Sequence, residues 1–407
     1  MVGGDGRAHA LAYVLSRSAA DVVVSGGNAG TPGAVATPPE ELDADLFVIS
    51  PEAPLVAGVA DRLRAQGKRV YGPGADGARL EGSKGWMKEL VAKAGVPTAQ
   101  HGTFTDAEAA LDFLRSMKPP FVIKTDGLAA GKGVLVTESL IEAEDDVKAK
   151  LAGASFGEAG RTVVIEEGMT GPELSLLAVC DGQRAVALAP AQDFKRALDG
   201  DRGPNTGGMG SYSPVPIAGD DLVGDVMDRF IEPTLATLRA EGIDYRGTLY
   251  AGLMLTPDGV KLVEFNVRFG DPEAQVVLPR MSSDLVELLA TAADGEMTKD
   301  EPTFISDAAV CVVAATPGYP ESSRAGAVID ALDEADDLAD VVVFCAGVDR
   351  DSEGRLVTAG GRVLDVVGFG PTIAFARERA YEAVRRVGFA GMHFRNDIAA
   401  AAAKEEA

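Results

Sequence analysis

The chain has 407 residues, of which 46% are hydrophobic and 25% are charged, and its formal net charge is −24. This composition describes a soluble globular protein of roughly two to four domains and excludes a disordered chain. No apolar run is long enough to cross a bilayer, and the acidic balance argues against a nucleic-acid partner, because phosphate binding requires a basic face.

Three scattered cysteines predict neither a disulfide framework nor a zinc site. Cys180, Cys311 and Cys345 each stand among small apolar residues, so we expect them to be core side chains. No signal-peptide pattern opens the sequence. A cytoplasmic protein without a membrane partner is therefore the expectation.

The N-terminal region alternates short apolar segments with glycine-rich loops. Gly3 to Arg7 enters a helical segment, and such loops bind phosphate through backbone N–H groups and the helix dipole. A third glycine is missing, so we expect one phosphate beside Arg7 rather than a dinucleotide, with a flexible start as the alternative. Only Met1 and Val2 stand where an opening strand is expected. A small parallel α/β domain is predicted from three strands and a helix, at residues 22–24, 45–49, 68–71 and 55–65.

Two helices are expected next, and both look structural. Ser83 can cap a helix over residues 84–94. Thr105 and Glu108 form a capping box for a second helix over residues 106–117. Each helix has one apolar face, which predicts packing against a core.

Residues 121–136 predict a strand, a glycine-rich loop and a second strand. The loop is not a P-loop, because the spacing from Gly127 to Lys132 is short and neither Ser nor Thr follows the lysine. Lys124 on the strand and Lys132 in the loop nevertheless suit nucleotide phosphates, over which a hairpin of small residues could close. A plain hairpin with a solvated lysine is the alternative.

Two further segments suggest ligand contacts. A strand over residues 162–167 ends in Glu166 and Glu167, where the backbone could meet an adenine edge, although surface glutamates are ordinary at strand ends. The run from Gly203 to Gly210 holds four glycines and a proline, which predicts no regular element. Such a loop is often functional, with a plain connection as the alternative.

The strand predicted over Val260 to Arg268 is the most informative stretch. Glu264, Asn266 and Arg268 alternate with two phenylalanines and a valine, so one face packs inward and the other carries the polar groups. Carboxylate and amide oxygens suit Mg²⁺, and the arginine could clamp a transferring phosphoryl group. An edge strand with a solvated polar face is the alternative.

The remaining elements carry less chemistry. A helix over residues 220–240 contains Pro233 and is predicted to kink. Beyond residue 302, several strands and a helix over residues 371–387 predict a separate, smaller α+β module with little ionisable chemistry. We expect His393 to be structural or superficial and residues 399–407 to form a frayed tail.

The ordered combination of motifs resembles the ATP-grasp ligases and, within them, the phosphoribosylamine–glycine ligase family. The strongest resemblance lies in two runs, Gly203 to Gly210 and Glu264 to Glu273. Other matching segments span nearly the whole chain, at residues 3–11, 27–31, 51–58, 81–84, 124–133 and 360–363. The N-terminal region departs from the family pattern, because the opening strand is missing, Ala8 and Ser50 replace Glu and Gly, and the segment before Pro51 is shorter.

The resemblance implies an α/β and α+β multidomain fold. It places a small parallel α/β substrate domain at residues 1–80, a two-part ATP-grasp centre at 81–298 with a lid subdomain at about 98–165, and a small α+β domain at 299–407. It implies a ligase that joins glycine to 5-phosphoribosylamine in de novo purine biosynthesis, using ATP and Mg²⁺ or Mn²⁺. Small molecules are then the only expected partners, and the protein is expected to be a monomer.

The resemblance also implies residue roles. The metal ligands are Glu264 and Asn266. The catalytic residues are Arg268, Lys132, Asp193 and Lys195. The nucleotide-binding residues are Lys84, Lys124, Gly131, Lys132, Gly133, Glu166, Glu167, Met169 and Glu173. The substrate-binding residues are Gly4, Gly6, Arg7, Asn28, Glu52, Asn205, Thr206, Gly207, Gly208, Met209, Asp271 and Glu273.

Two alternative functions remain open from the sequence. A different ATP-grasp ligase would join another carboxylate to another amine and would share the same nucleotide half. A non-catalytic relative would bind nucleotide but would have lost the sugar site in its altered N-terminal region. The presence of Glu264, Asn266 and Arg268 argues against the second alternative.

Overall fold

The computed structural model describes residues 1–18, 20–128, 133–153, 161–298 and 300–406. Its N-terminal segment consists of short strands and helices. These elements are α1 (Gly6–Leu15), β1 (Val24–Ser25), β2 (Ala34–Val35), β3 (Phe47–Val48), α2 (Glu52–Val56), α3 (Val59–Ala65) and β4 (Val70–Tyr71). β1 pairs with β2 and β3 with β4, and both pairs are parallel, as predicted.

Val2 takes the place of the opening strand. It forms parallel bridges to both Ser25 and Ile49, so it connects the β1 and β3 pairs. The glycine-rich loop then enters α1, whose N-terminus is capped by the Asp5 carboxylate accepting from the Ala8 N–H at 2.9 Å. The single helix predicted over residues 55–65 is instead two helices, because Gly58 adopts a φ of +73° between them.

The predicted lid segment is a four-stranded antiparallel sheet in the order β5-β8-β6-β7, covered by two helices. The elements up to its end are α4 (Ala75–Gly82), α5 (Lys84–Lys93), β5 (His101–Phe104), α6 (Ala107–Ser116), β6 (Phe121–Thr125), β7 (Val134–Thr137), α7 (Leu140–Leu151) and β8 (Val163–Glu167). Ser83 caps α5 as predicted. The capping box at Thr105 is wrong, because the Asp106 carboxylate, one residue later, accepts from the Ala109 N–H.

A second antiparallel sheet faces the lid, in the order β10-β9-β15-β16. The elements of this region are β9 (Glu173–Asp181), β10 (Ala185–Ala187), β11 (Gln192–Asp193), β12 (Arg196–Leu198), β13 (Arg202–Asn205), β14 (Gly210–Ser213), α8 (Asp220–Val226), α9 (Glu232–Ala240), β15 (Arg246–Thr256), β16 (Gly259–Asn266), α10 (Glu273–Val277) and α11 (Leu285–Asp294). A π-helical turn at Met227–Ile231 joins α8 to α9, where the kink was predicted.

The C-terminal segment shares a sheet with the central region. Its elements are β17 (Ala308–Ala315), α12 (Leu332–Asp336), β18 (Val341–Cys345), β19 (Val348–Arg350), β20 (Leu356–Thr358), β21 (Arg362–Gly370), α13 (Ile373–Val384) and α14 (Ala400–Glu405). One five-stranded sheet, in the order β11-β14-β17-β21-β18, contains strands from both sides of the predicted boundary near residue 299. The predicted C-terminal module is therefore not separate, because β17 is hydrogen-bonded to β14 of the central region.

Two predictions of irregular structure are wrong. The run from Gly203 to Gly210 is partly regular, because β13 pairs with β12 and β14 begins at Gly210. The expected frayed tail forms α14 over Ala400–Glu405, and Ala402 is 6% exposed. Both segments are ordered by contacts with distant parts of the chain rather than by local propensity.

The smaller expectations are confirmed. The three cysteines are unpaired and buried. His393 is structural, since its Nε2 lies 2.8 Å from the Ala197 carbonyl oxygen. None of the helices in the described ranges combines the length and apolar character that a membrane crossing needs.

Candidate active site

The polar row at the end of β16 lines one cavity, and Glu264 also lines a second. Phe265, Val267 and Phe269 are at most 2% exposed and pack inward, as the alternation predicts. Glu264, Asn266 and Arg268 point the other way and line a cavity of about 540 Å³. The strand ends at Asn266, so Arg268 projects from the turn that follows it.

The second cavity lies between the lid and the central sheet and has a volume of about 640 Å³. It shares Glu264, Asp193, Lys195 and Thr206 with the first cavity. Volumes of this size suit small-molecule ligands. A ligand in one cavity can therefore meet a ligand in the other beside Glu264.

Glu264 and Asn266 fit the donor set that Mg²⁺ prefers. Although burial opposes ionisation, the nearby ammonium groups of Lys124 and Lys84 lower the pKa of Glu264, so its carboxylate is charged. Among the residues that the structure describes, none donates a hydrogen bond to that carboxylate. Mg²⁺ commonly takes one or two carboxylates plus water and substrate phosphates, so this site does not require a larger acidic cluster.

Arg268 is held by three groups from different segments. Its Nη2 donates to Glu81 Oε1 at 3.0 Å and to Asn266 Oδ1 at 3.2 Å, and its Nε lies 3.4 Å from Glu52 Oε2. Burial opposes the charge of the guanidinium, but Glu81 raises the pKa of Arg268 above its ordinary value. The guanidinium is thus a fixed positive charge at the wall of the first cavity.

Two lysines lie near this site: Lys124 lines the second cavity, and Lys84, on α5, lines the first. Lys124 Nζ lies 2.9 Å from Glu166 Oε1, in an ion pair without hydrogen-bond alignment. Lys84 Nζ donates to the Gly127 carbonyl oxygen at 2.8 Å. Gly133 lines the first cavity, whereas Gly131 and Lys132 lie outside the described residues.

The predicted adenine and ribose contacts line the second cavity. They are Glu166, Glu167, Met169 and Glu173. The carboxylates of the first two are occupied, because Glu166 pairs with lysines and Glu167 accepts from Lys261 Nζ at 2.9 Å. Side-chain contacts to a base are therefore less available there than backbone contacts.

Asp193 and Lys195 form an ion-paired cluster between the cavities. Lys195 Nζ lies 3.0 Å from Asp193 Oδ1 and also pairs with Glu173. Burial raises the pKa of Asp193 to about 7, with Glu273 acting in the same direction against Lys195. Such a carboxyl group can exchange a proton near neutral pH. Glu273 accepts from the Tyr250 hydroxyl at 2.5 Å, which fixes its orientation.

The glycine-rich run is held against the loop at Asp271 by the C-terminal segment. Arg362 Nη1 donates to the carbonyl oxygens of Gly207 and Asp271 at 2.9 and 2.8 Å, and Nη2 donates to the Asp271 carboxylate at 2.7 Å. Gly208 has a φ of +118°, and a Cβ there would lie 2.4 Å from Pro272. Thr206 and Gly207 line the first cavity and Asn205 the second, whereas Met209 is fully buried.

The predicted sugar-phosphate residues divide into two groups. Arg7 and Glu52 line the first cavity, and Arg7 is occupied by Asp5 Oδ2 at 2.7 Å and Glu52 Oε2 at 3.2 Å. Gly4, Gly6 and Asn28 line neither cavity. Asn28 instead donates to the carbonyl oxygens of Gly4 and Cys345, which ties the loop to the C-terminal segment.

Several site residues were not predicted from the sequence. Glu81 stands in the same family-like segment as Lys84, which was the signal that could have identified it, and its carboxylate accepts from the Val267 N–H and from Arg268. Arg362 stands in the family-like segment 360–363, for which no role was predicted. Nothing in the sequence indicated a role for Tyr319, yet it lines the first cavity and its hydroxyl accepts from the Gly207 N–H at 3.1 Å. The expectation of little ionisable chemistry beyond residue 302 is therefore wrong.

Two antiparallel sheets facing each other across a cavity of this size, with the Glu264 carboxylate between them, are typical of an ATP-grasp protein. Family models agree: the phosphoribosylglycinamide synthetase N domain matches residues 1–81, the ATP-grasp (A) domain 82–274 and the C domain 309–401. The chain belongs to the phosphoribosylglycinamide synthetase family, also named phosphoribosylamine–glycine ligase. The predicted family and fold class are confirmed.

The relatives match nearly end to end. Phosphoribosylamine–glycine ligases of Caulobacter vibrioides and Streptomyces coelicolor are each 47% identical to this chain. The matches cover 98% and 99% of this chain, and 96% and 99% of the respective relatives. The crystal structure of the Thermotoga maritima phosphoribosylamine–glycine ligase superposes with a TM-score of 0.86 at 35% identity, covering 98% of both chains.

Proposed function

We propose that the chain is an ATP-dependent ligase that joins glycine to 5-phosphoribosylamine in de novo purine biosynthesis. The products are glycinamide ribonucleotide, ADP and phosphate, and the reaction passes through a glycyl phosphate. Family membership over the whole chain supports this activity. The observation that carries it is the meeting of two cavities at Glu264, with Asn266 and Arg268 beside it in the first cavity.

In this proposal, ATP occupies the cavity between the lid and the central sheet. Lys124 and Lys84 neutralise phosphate charge, and the loop of Gly131, Lys132 and Gly133 closes over the phosphates, because an acyl phosphate hydrolyses in water. The backbone from Glu166 to Met169 borders the adenine, and Glu173 takes the ribose hydroxyls. The lining of the cavity by these strand ends supports the assignment.

Glu264 and Asn266 would hold the divalent ion, Mg²⁺ or Mn²⁺. When bound, the ion neutralises charge on the transferring phosphoryl group. Arg268 adds a positive charge whose position is fixed by Glu81, so little reorganisation is needed when negative charge develops beside it.

Glycine and the amine occupy the first cavity. Lys195 and the run from Asn205 to Met209 orient the glycine carboxylate toward ATP, and Asp193 accepts a proton from the attacking amine. A pKa near 7 supports that role for Asp193. Asp271 and Glu273 bind the ammonium and hydroxyl groups of the substrates.

The sugar phosphate is assigned to the N-terminal side of the first cavity. Arg7 is its cation, helped by Glu52, while Gly4, Gly6 and Asn28 shape the loop that presents Arg7. The contacts of Asn28 with Gly4 and Cys345 support a shaping role rather than direct contact.

Omitting each substrate in turn tests the activity. ADP release is followed with glycine and freshly prepared phosphoribosylamine, together and singly. We expect release only when both are present. ADP formation with another carboxylate and amine would instead indicate a different ATP-grasp ligase, and ATP binding without any turnover would indicate a non-catalytic relative.

We further propose that the protein is a cytoplasmic monomer acting on small molecules alone. The domain divisions proposed are residues 1–80, 81–298 with a lid at about 98–165, and 299–407. The two facing sheets support the lid division. Size-exclusion chromatography with light scattering tests the monomer, for which a mass near 42.1 kDa is expected.

A further inference from the structure

A buried charge cluster joins three elements behind the nucleotide cavity. Lys88 lies one turn after Lys84 on α5, and its side chain is 0% exposed. Lys88 Nζ lies 3.0 Å from Glu166 Oε2 and donates to Thr98 Oγ1 at 2.7 Å. Thr98 in turn donates to the Leu262 carbonyl oxygen at 2.7 Å, so α5, β8 and β16 meet at this point.

Glu166 is shared between two ammonium groups. Its Oε2 faces Lys88 and its Oε1 faces Lys124, and the carboxylate is 2% exposed. Lys124 also lines the second cavity, whereas Lys88 lines neither cavity. Two ammonium groups therefore share this one carboxylate. Lys124 is the one on the cavity side, where it also interacts with the Glu264 carboxylate and can meet a ligand.

Burying an ion without compensation is costly, so Glu166 must keep a cationic partner when Lys124 turns to an anionic ligand. Lys88 is that second partner. Burial lowers the pKa of Lys88 to about 8, with Lys124 acting in the same direction against Glu166, so Lys88 is mostly charged at neutral pH. Its hydrogen bond to Thr98 joins it to a residue that, like Lys88 itself, lines neither cavity.

We propose that Lys88 is a positioning residue that neutralises Glu166 and thereby leaves Lys124 free to bind nucleotide phosphates. The inference rests on the proposed function only in taking the second cavity as the nucleotide site. Without the Lys88 charge, Glu166 would hold Lys124 as its sole counter-ion, and an incoming phosphate would have to compete with a buried carboxylate.

A merely structural role for Lys88 makes a different prediction. If Lys88 only anchored α5 to Thr98, its loss would weaken the site whatever residue stood at position 166. If it neutralises Glu166, removing the carboxylate as well should restore binding. The double variant therefore distinguishes the two roles by the direction of its effect.

The test measures ADP binding by calorimetry on the full chain, with magnesium chloride constant, for Lys88→Met, Glu166→Gln and the double variant. We expect Lys88→Met to weaken ADP binding about tenfold, or about 1.4 kcal/mol. We expect Glu166→Gln to bind at least as tightly as the unaltered chain, and the double variant to lie within about threefold of it. Equal weakening in Lys88→Met and the double variant would overturn the proposal, as would unchanged binding in Lys88→Met.

Matched variants exclude trivial causes. Lys93→Met removes an exposed lysine from the same helix and should leave ADP binding unchanged. Lys88→Arg keeps the charge and should recover most of the binding. If Lys88→Met does not fold, the double variant Lys88→Met/Glu166→Gln is compared with Lys88→Met/Glu166→Asp. The second of these keeps the negative charge at position 166, so the pair still compares ADP binding with and without that charge.

Steady-state kinetics adds a second measure. Lys88→Met should raise the KM for ATP about tenfold while changing kcat less than about threefold, because Lys88 does not touch the reacting atoms. A fall in kcat at unchanged KM would contradict the proposal. ADP binding needs no ligation, so a chain that binds ADP as expected but does not ligate glycine would refute the proposed function alone.

Discussion

The two halves of the cleft are built differently. Charged side chains of the nucleotide half project from β6, β8 and β16, regular strands whose alternation fixes their direction. The other half, the loop half, is assembled from loops and element ends of three distant segments. Its arginines, Arg7, Arg268 and Arg362, each pair with a carboxylate that is distant in the chain.

In the nucleotide half, the side chains that bind a ligand are therefore not the groups that stabilise the fold. In the loop half, the same side chains do both. In the nucleotide half, changing a side chain at the cavity leaves the strand pairing intact, so binding should change more than stability. In the loop half, the same groups hold the loops in place. A charge removed there should therefore alter both stability and substrate binding.

The largest effect is expected at the junction of the halves. Glu264→Gln keeps the side-chain shape but removes the charge proposed to hold the divalent ion. We expect kcat/KM to fall about 1,000-fold, or about 4 kcal/mol, and the half-saturating Mg²⁺ concentration to rise about tenfold. Initial rates across a magnesium titration measure both quantities.

Glu89→Gln is the control for this substitution, since Glu89 is exposed on α5 and should be neutral in both measures. The thermal midpoint of Glu264→Gln should stay close to that of the unaltered chain. A magnesium requirement that does not move would remove Glu264 from the proposed ion site. A large loss of stability would contradict the separation of binding from folding in this half.

Much of the nucleotide half could be predicted from the sequence because local periodicity determines it. The alternation of residues 264–269 gave both the buried face and the polar row, and the two strands predicted around the loop after Lys124 pair as β6 and β7. The pairing of Glu166 with Lys88 and Lys124 could not be predicted, because it joins a helix to two strands that are not adjacent in sequence.

The loop half was predicted less completely, for the same physical reason. The glycine-rich run was expected to be irregular, but its first residues pair with β12, and Arg362, about 155 residues away, fixes Gly207. The segment that was predicted to be a frayed tail forms α14 for the same reason. Composition shows which residues tolerate a loop, but contacts between distant segments decide its conformation.

His9 should make the loop half sensitive to acid. Its Nδ1 accepts from the Cys345 N–H at 2.9 Å, and burial lowers the pKa of His9 from 6.5 to about 4. The lowered pKa means that this stability is present above pH 6.5 and is lost as the pH falls toward 4. The full loss corresponds to about 3 kcal/mol.

Urea unfolding at pH 7 and pH 4 measures this contribution when the chain is compared with His9→Gln, which keeps a neutral acceptor. We expect His9→Gln to lose less stability on acidification than the unaltered chain. The comparison also cancels the carboxyl groups that titrate over the same range. Identical losses in the two proteins would show that His9 is not the sensitive group.

Arg362→Met should have a smaller effect on activity. It frees the Gly207 and Asp271 carbonyl oxygens and leaves the Asp271 carboxylate without its ion-pair partner. We expect kcat/KM for glycine to fall about 30-fold, or about 2 kcal/mol, with a lower thermal midpoint. Arg362→Lys should recover little, because an ammonium group cannot span the same acceptors.

Arg355→Met provides the matched control, since Arg355 is exposed and, within the part of the chain that the structure describes, forms ion pairs only with Asp351 and Glu353 in the same turn. It should leave the glycine kinetics unchanged. If Arg362→Met lowered the thermal midpoint without affecting glycine kinetics, the loop would not need the arginine for substrate binding. Folding and binding would then be separable in this half as well.

The smallest effect is expected in the lid, where structure is local. Asp106→Ala removes the carboxylate that caps α6, and Thr105→Ala removes a hydroxyl that forms no cap. We expect the first to lower the free energy of opening the α6 amides by about 1 kcal/mol and the second to change it by less than about 0.5 kcal/mol. Hydrogen–deuterium exchange of residues 107–116 measures both. Because Asp106 is exposed and neither Thr105 nor Asp106 lines either cavity, neither substitution should change the glycine KM. A change in the glycine KM would show that the helices of the nucleotide half are coupled to the loop half.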